Sequence, residues 1–259
     1  MAMIGISLVR ANAYAAASIL VSGIVATAGW AKLPPAMSDE TQSRSENAGS
    51  KSASLGGSNL FSVRTTTTEK MKAMSNVSFL TEQISHLQER SVTPAMLSAQ
   101  NIPDGKKELV VKAFAASQAR QLASLLNQRG TCLALIGEHE KAMSDLDEAL
   151  VSDKQYAPAF NNRAWMRAHA GELDSALSDV DKAIELDPSM AEAYDTRGTI
   201  RLALKQYEPA MKDFNSSISH RDSYAEAYYH RGMLHKLLGH SKEHADDEKK
   251  AIDLGYPVP

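Results

Sequence analysis

The chain has 259 residues, of which 43% are hydrophobic and 23% charged, with a formal net charge of −3. That balance excludes a wholly disordered chain and argues against a nucleic-acid binder with a strongly basic face. A single cysteine, Cys132, excludes an internal disulfide, a CxxC redox pair and a cysteine-based zinc site.

Aromatic residues make up only 6%, and alanine and leucine are abundant, which favours an all-α chain. Residues 11–31 carry no charge and are bracketed by Arg10 and Lys32. A run of that length suits either a cleaved signal peptide, with small-x-small sites at 26–28 and 29–31, or an uncleaved signal-anchor. The apolar rather than basic start at 1–9 leaves a non-exported N-terminus as a third reading. The first two predict a protein that is periplasmic, secreted or membrane-anchored through residues 11–31. Residues 32–68 contain Pro34, Pro35, a serine-rich run, Gly56, Gly57 and four consecutive threonines. So polar a segment reads as a disordered linker.

A helical period begins at Glu69, with Met74, Val77, Leu80, Ile84 and Leu87 spaced by three and four. Pro94 and the turn at 101–105 interrupt it, and a second helical stretch runs from Lys106 without Gly or Pro to Gly130. Residues 69–122 therefore form an N-terminal helical cap, which either flows into the next unit or makes a hairpin.

From residue 123 the chain repeats every 34 residues, with units starting at Ala123, Ala157, Ala191 and Ala225. Position 8 is Gly130, Ala164, Gly198 and Gly232; position 20 is Ala142, Ala176, Ala210 and His244. Position 27 is Ala149, Ala183, Ser217 and Ala251. Small residues there let two helices approach closely, and Gly137, Gly171 and Gly239 at position 15 mark the turn between them. Position 7 is Arg129, Arg163, Arg197 and Arg231, and position 23 is Asp145, Asp179, Asp213 and Asp247. In a hairpin that turns near position 15 these positions face each other, which predicts four structural Arg–Asp pairs within the units.

This period and residue set, including ALSDVDKAIELDP at 176–188, resembles the tetratricopeptide repeat, a helix–turn–helix unit. The resemblance covers 123–259 and implies a right-handed α-solenoid. The departures are Leu126, Phe160, Tyr194 and Tyr228 at position 4 in place of tryptophan, and arginine in place of leucine at position 7. In that family the first helices line a concave groove, so a partner is expected to meet Asn127, Asn161, Trp165, Glu192, Asp195, Glu226, Tyr229 and Met233. Asparagines would bond its backbone, the rings would supply flat contact area, and the three carboxylates would favour a basic or neutral peptide. The alternative for Trp165 is packing between helices. The family's chaperone-tail clamp needs basic groups where this chain has Asn127, Thr131, Asn162, Glu192 and Thr196. One unit later it has Asn161, Trp165, Thr196, Glu226 and His230, so that role is disfavoured.

No catalytic motif occurs, and neither an enzyme nor a cofactor is expected. His240 and His244 lie four apart near Asp247, a spacing open to a metal, but His240 falls in a turn and exposed capping histidines are the plainer reading. The sequence predicts a protein-interaction adaptor, with a self-assembling scaffold or a His-cluster metal protein as alternatives. The charge is also uneven: residues 1–122 hold 12 Lys/Arg and 8 Asp/Glu, whereas residues 123–259 hold 16 and 23. The repeat half is acidic.

Overall fold

The structure is a computed structural model that describes residues 66–91, 96 and 103–256. The leader at 11–31 and nearly all of the 32–68 segment lie outside the described residues. Among those described there is no strand, and no helix is long and apolar enough to cross a membrane.

The first helix, α1 (Thr67–Glu89), starts two residues before the expected boundary because Thr66 and Glu69 form a capping box. The Thr66 hydroxyl accepts from the Glu69 N–H at 3.3 Å, and the Glu69 carboxylate accepts from the Thr66 N–H at 2.8 Å. Its buried stripe is Ala73, Leu80, Ile84 and Leu87. Met74, expected on that stripe, is instead 59% exposed. Ala73 takes its place, buried in a cluster with Leu80 and Cys132.

The second helix, α2 (Asp104–Ile136), is continuous through Ala123, so no break separates the cap from the first unit. Seven shorter helices follow, the first completing a hairpin with the end of α2 and the other six making three more: α3 (His139–Ser152), α4 (Ala157–His169), α5 (Leu173–Leu186), α6 (Ala191–Ala203), α7 (Tyr207–His220), α8 (Ala225–Leu237) and α9 (Ser241–Asp253). The first helix of each unit, here called A, is the end of α2, then α4, α6 and α8. The second, B, is α3, α5, α7 and α9.

Each A helix packs along its own B helix and along the B helix of the unit before it. For the first unit α1 fills that second role, running antiparallel to the end of α2. Ala73 and Leu80 share a cluster with Cys132, and Ile84 joins Ala123 and Leu126. The Gln118 amide donates to the Leu87 carbonyl and, at 2.8 Å, to that of Arg90. One helix without repeat sequence thus covers the end of the array that would otherwise leave a B-helix place empty.

Side-chain size is matched between positions 8 and 24 in the second and third hairpins. Gly198 faces Phe214, and a Cβ built on Gly198 would lie 2.6 Å from the ring. Ala164 stands where Val180 is smaller, and both are fully buried. The turns at position 15 are left-handed at Gly137 (φ 91°), Gly171 (φ 86°) and Gly239 (φ 79°). The third unit has Lys205 there, at φ 61°, a conformation that costs a side-chain-bearing residue about 1 kcal/mol.

Inside the hairpins the arginines meet the aspartates. Arg129–Asp145, Arg163–Asp179, Arg197–Asp213 and Arg231–Asp247 have closest contacts of 2.7, 2.7, 2.8 and 2.6 Å, and Nε as well as Nη2 donates to the carboxylate. The third guanidinium nitrogen, Nη1, reaches back to position 25 of the preceding B helix. It donates to Asp147 from Arg163, to Asp181 from Arg197 and to Asn215 from Arg231. For Arg129 the acceptor is Thr81 of α1, at 3.3 Å, which places α1 in the register of a B helix.

A second guanidinium enters in the middle units: Arg167 bonds Asp179 at 2.6 Å and Arg201 bonds Asp213 at 2.7 Å. In the outer units position 11 is Leu133 and His235. The charges balance unit by unit. Where two arginines are present, position 25 of the preceding helix is aspartate; where one is present, it is Thr81 or Asn215. The same arginines lie over the position-4 rings of Phe160, Tyr194 and Tyr228, at 5.6, 5.5 and 5.5 Å. In the last three units the two departures from the family pattern are therefore one contact, a guanidinium on an aromatic face.

Candidate functional site

A helices of neighbouring units touch one another directly, α2 with α4, α4 with α6 and α6 with α8, whereas B helices of neighbouring units make no comparable contact. The A-helix face is therefore the inner face of the stack. Positions 5 and 6 of the A helices sit where neighbouring units meet, and they are more buried than a ligand-reading surface requires.

Asn127, Asn161 and Asp195 at position 5 are 4%, 0% and 1% exposed. Two of them bond position 6 of the next unit, 35 residues on. In the first rung the Asn162 amide donates to Asn127 Oδ1 at 2.8 Å and to Thr131 Oγ1 at 3.3 Å. In the third, His230 Nδ1–H donates to Asp195 at 2.9 Å. The second rung, Asn161 with Thr196, is not closed: Asn161 Oδ1 and Thr196 Oγ1 are both buried without a partner. The asparagines expected to bond a partner's backbone are thus used, or enclosed, between units.

The acidic trio also differs from expectation. Glu192 is paired with Arg221 at 2.7 Å, Asp195 with His230, and Glu226 is only 4% exposed. Burial pushes the Glu226 carboxyl up to about 7, with the Asp195 charge adding to the effect. Burial alone would lower the His230 imidazole, but the Asp195 carboxylate outweighs it and raises the value. No free carboxylate row faces a ligand here, because the chain supplies the cations itself.

Position 9 is Thr131, Trp165, Thr199 and Met233. The two threonine hydroxyls are buried and donate back to the carbonyls of Asn127 and Asp195, each at 2.9 Å. Trp165 and Met233 are left half-buried. Trp165 stacks on His169, with centroids 5.6 Å apart and planes 7° from parallel. It also packs against core residues of several units and lines a small pocket with Gly130, Ala134, Asn162 and Met166. It serves packing and still offers an edge to solvent. Tyr229, half-buried, stacks on Tyr256 at 4.5 Å, so the end of the chain covers part of the surface expected for a partner.

Cys132 is buried, and burial pushes its thiol up to about 11, away from reactivity. At the C-terminal end His240 is the N-cap of α9, and its ring lies against His235 with Nδ1 atoms 3.3 Å apart. His244 Nδ1 is buried beside Gly232. Among the described residues no three His, Cys, Asp or Glu side chains form a group that could hold a metal ion.

The groups that sequence reasoning missed are Arg167, Arg201, Asp147 and Asp181, together with the contacts that Asn162 and His230, weighed only as clamp positions, make between units. Each carried a signal in the repeat alignment: paired charges at positions 11 and 25, and hydrogen-bonding residues at i and i+35.

No family model matches the sequence, and no curated protein matches it. Several solved structures are similar to part of this chain. A crystal structure of MamA is 21% identical over 58% of this chain and 92% of that one, with a TM-score of 0.44. The first TPR of Spaghetti (RPAP3) bound to the HSP90 peptide SRMEEVD is 25% identical, covering 46% of this chain and 95% of that one, with a TM-score of 0.43. The Arabidopsis OM64 TPR domain is 24% identical over 46% and 98%, with a TM-score of 0.42. Four helix–turn–helix units in unbroken 34-residue register, stacked A on A with shared internal contacts, make residues 123–256 an α-solenoid of helical repeats.

Proposed function

We propose that the chain is a protein-interaction adaptor that holds a segment of a partner along its A-helix face, without catalysis. Carrying this reading is the position-9 row. Its hydroxyls are closed off inside the array, and its two large side chains, Trp165 and Met233, remain partly accessible on the inner face. Exposed Leu237, one turn beyond Met233, extends the apolar surface. Aromatic and apolar anchors of this kind dominate interface energetics. The partner's contact segment is then chiefly apolar and neutral, since the carboxylates nearby are already paired or enclosed. The acidic excess of residues 123–259 still favours a neutral or basic partner at long range. The uncharged run at 11–31 supports export or membrane tethering of the array.

The test is selection from a displayed library of random peptides on the full-length protein, followed by titration of the selected peptides against Trp165→Ala and Met233→Ala variants. Loss of binding by about tenfold or more in either variant, with thermal melts confirming a folded array, supports the groove. Equal affinity for both variants and the parent overturns it. Light scattering separates the self-assembling scaffold, which a strict monomer excludes.

A further inference from the structure

Six ionisable groups from three elements converge where the fourth unit meets the third. Glu192 and Asp195 come from α6, Arg221 from the end of α7, and Tyr224, Glu226 and His230 from the start of α8. Four are held in two neutral pairs, Asp195 with His230 at 2.9 Å and Glu192 with Arg221 at 2.7 Å. The Arg221 guanidinium also lies over the Tyr224 ring at 4.2 Å. Glu226 is the odd group. It is 4% exposed, its Oε1 is buried with no hydrogen-bond partner in the chain, and the buried Tyr224 hydroxyl beside it is equally unpartnered. The other face of α8 belongs to α9 and carries a separate set, Arg231 with Asp247 at 2.6 Å, His235 beside that aspartate at 4.0 Å, and Lys250 over Tyr228 at 5.9 Å. Arg221, whose Nη2 is buried without a hydrogen-bond partner, and His230 both favour an ionised Glu226, but each is already paired with another carboxylate, and burial outweighs them.

We propose that Glu226 is a proton-operated latch on the fourth unit. With its carboxyl protonated the buried α6–α8 contact is electrically balanced; with it ionised, a lone carboxylate in that contact loosens α8 and α9 from the rest of the array. The corresponding position in the first two units is Ser124 and Pro158, which cannot ionise, and in the third it is Glu192, which has Arg221. The latch is therefore local to one junction.

The sign follows from the two upward shifts. Glu226 sits at about 7 in the folded chain against 4.5 ordinarily, so the native state holds the proton more tightly than the unfolded one. The associated stability is full below the ordinary value and is lost as pH rises through about 7. His230, also raised, contributes in the same direction: its pairing with Asp195 stabilises the contact fully below pH 6.5 and fades as pH rises through its folded value. Mild acid tightens the junction.

Amide hydrogen exchange of the full-length protein, read by mass spectrometry and corrected for intrinsic rates, tests this between about pH 5.5 and about pH 8. Protection of α8 and α9 is expected to fall by about tenfold or more across that range, while α4 and α5 stay unchanged. Glu226→Gln, which mimics the protonated carboxyl, is expected to remove most of the difference. Should that variant not fold, the side-chain carboxyl resonance of Glu226 in the parent protein serves as the second measurement. An ordinary carboxylate midpoint overturns the latch, as does α8–α9 protection that follows the rest of the array at every pH, or a Glu226→Gln protein that keeps the full pH dependence.

Discussion

Two polar systems run through this array, and they differ in what is repeated. Inside the hairpins the Arg–Asp pairs are the same four times over, with the same atoms in contact. Along the A helices, the rungs between position 5 and position 6 keep one geometry but change chemistry at every step: amide to amide, an unclosed amide and hydroxyl, then carboxylate to imidazole. Uniform chemistry belongs to the part that only has to hold a hairpin in register. Varied chemistry lies on the inner face, where the units can be made unlike each other without disturbing their stacking. The comparison also explains why the pH-sensitive contact is confined to one junction: the ladder, unlike the hairpin pairs, contains a titratable rung.

The largest effect is expected from the hairpin system. Asp179 answers two guanidiniums, Arg163 and Arg167, and is nearly fully buried. Asp179→Ala should destabilise by about 3 kcal/mol in urea unfolding, at the low end for a broken buried pair because both arginines keep some solvent access. Asp145→Ala, which strands only Arg129, should lose about half as much. Equal losses at the two sites would break the idea that charge is balanced unit by unit.

Next comes the size match that allows the pairs to form. Gly198→Ala drives a methyl into the Phe214 ring and should cost about 2 kcal/mol. Combining it with Phe214→Val, which gives the pairing used by Ala164 and Val180, should cost less than the sum of the two single changes. Simple additivity in that cycle would show that the close approach is not what selects glycine.

The unclosed rung sharpens the other half of the comparison. Thr196→Asn copies the first rung, where Asn162 donates to Asn127, and would give Asn161 Oδ1 a donor. A gain of about 1 kcal/mol in thermal or urea unfolding is expected if the extra atoms fit. A loss instead would mean that the second rung is left open for want of space. The smallest effect is at the turn. Lys205→Gly relieves a left-handed lysine at the cost of backbone freedom in the unfolded chain, for a net gain of about 0.5 kcal/mol.

The repeat register was fully legible, and so were the four Arg–Asp contacts, because a hairpin of fixed period brings fixed positions together whatever surrounds them. The second arginines were equally visible in the alignment at position 11, but their meaning lay in a residue of the preceding unit. The candidate face was legible in position only. Asn127, Asn161, Asp195 and Glu226 stand on the expected side of the A helices, yet neighbouring A helices come close enough to bury them. Burial on that scale is set by how units stack, and no spacing within a unit reports it. Met74 illustrates the same limit on a smaller scale. Ala73 is buried in its place while Leu80, Ile84 and Leu87 stay as expected, and apolar periodicity alone cannot tell a spacing of four before Val77 from one of three.

Residue types at a 34-residue period thus determined the helices, their turns and the pairing inside each hairpin, all of which depend on short-range geometry. The tertiary structure alone decided what those residues are free to do. It turned an acidic trio into two neutral pairs and one enclosed carboxyl. It set α1, which has no repeat sequence, in the place of a B helix. It left Trp165 and Met233 as the accessible part of the position-9 row. Charge and hydrogen-bonding capacity are written in the sequence, but whether they face water, a partner or another side chain depends on which surfaces the stack brings within a few ångströms.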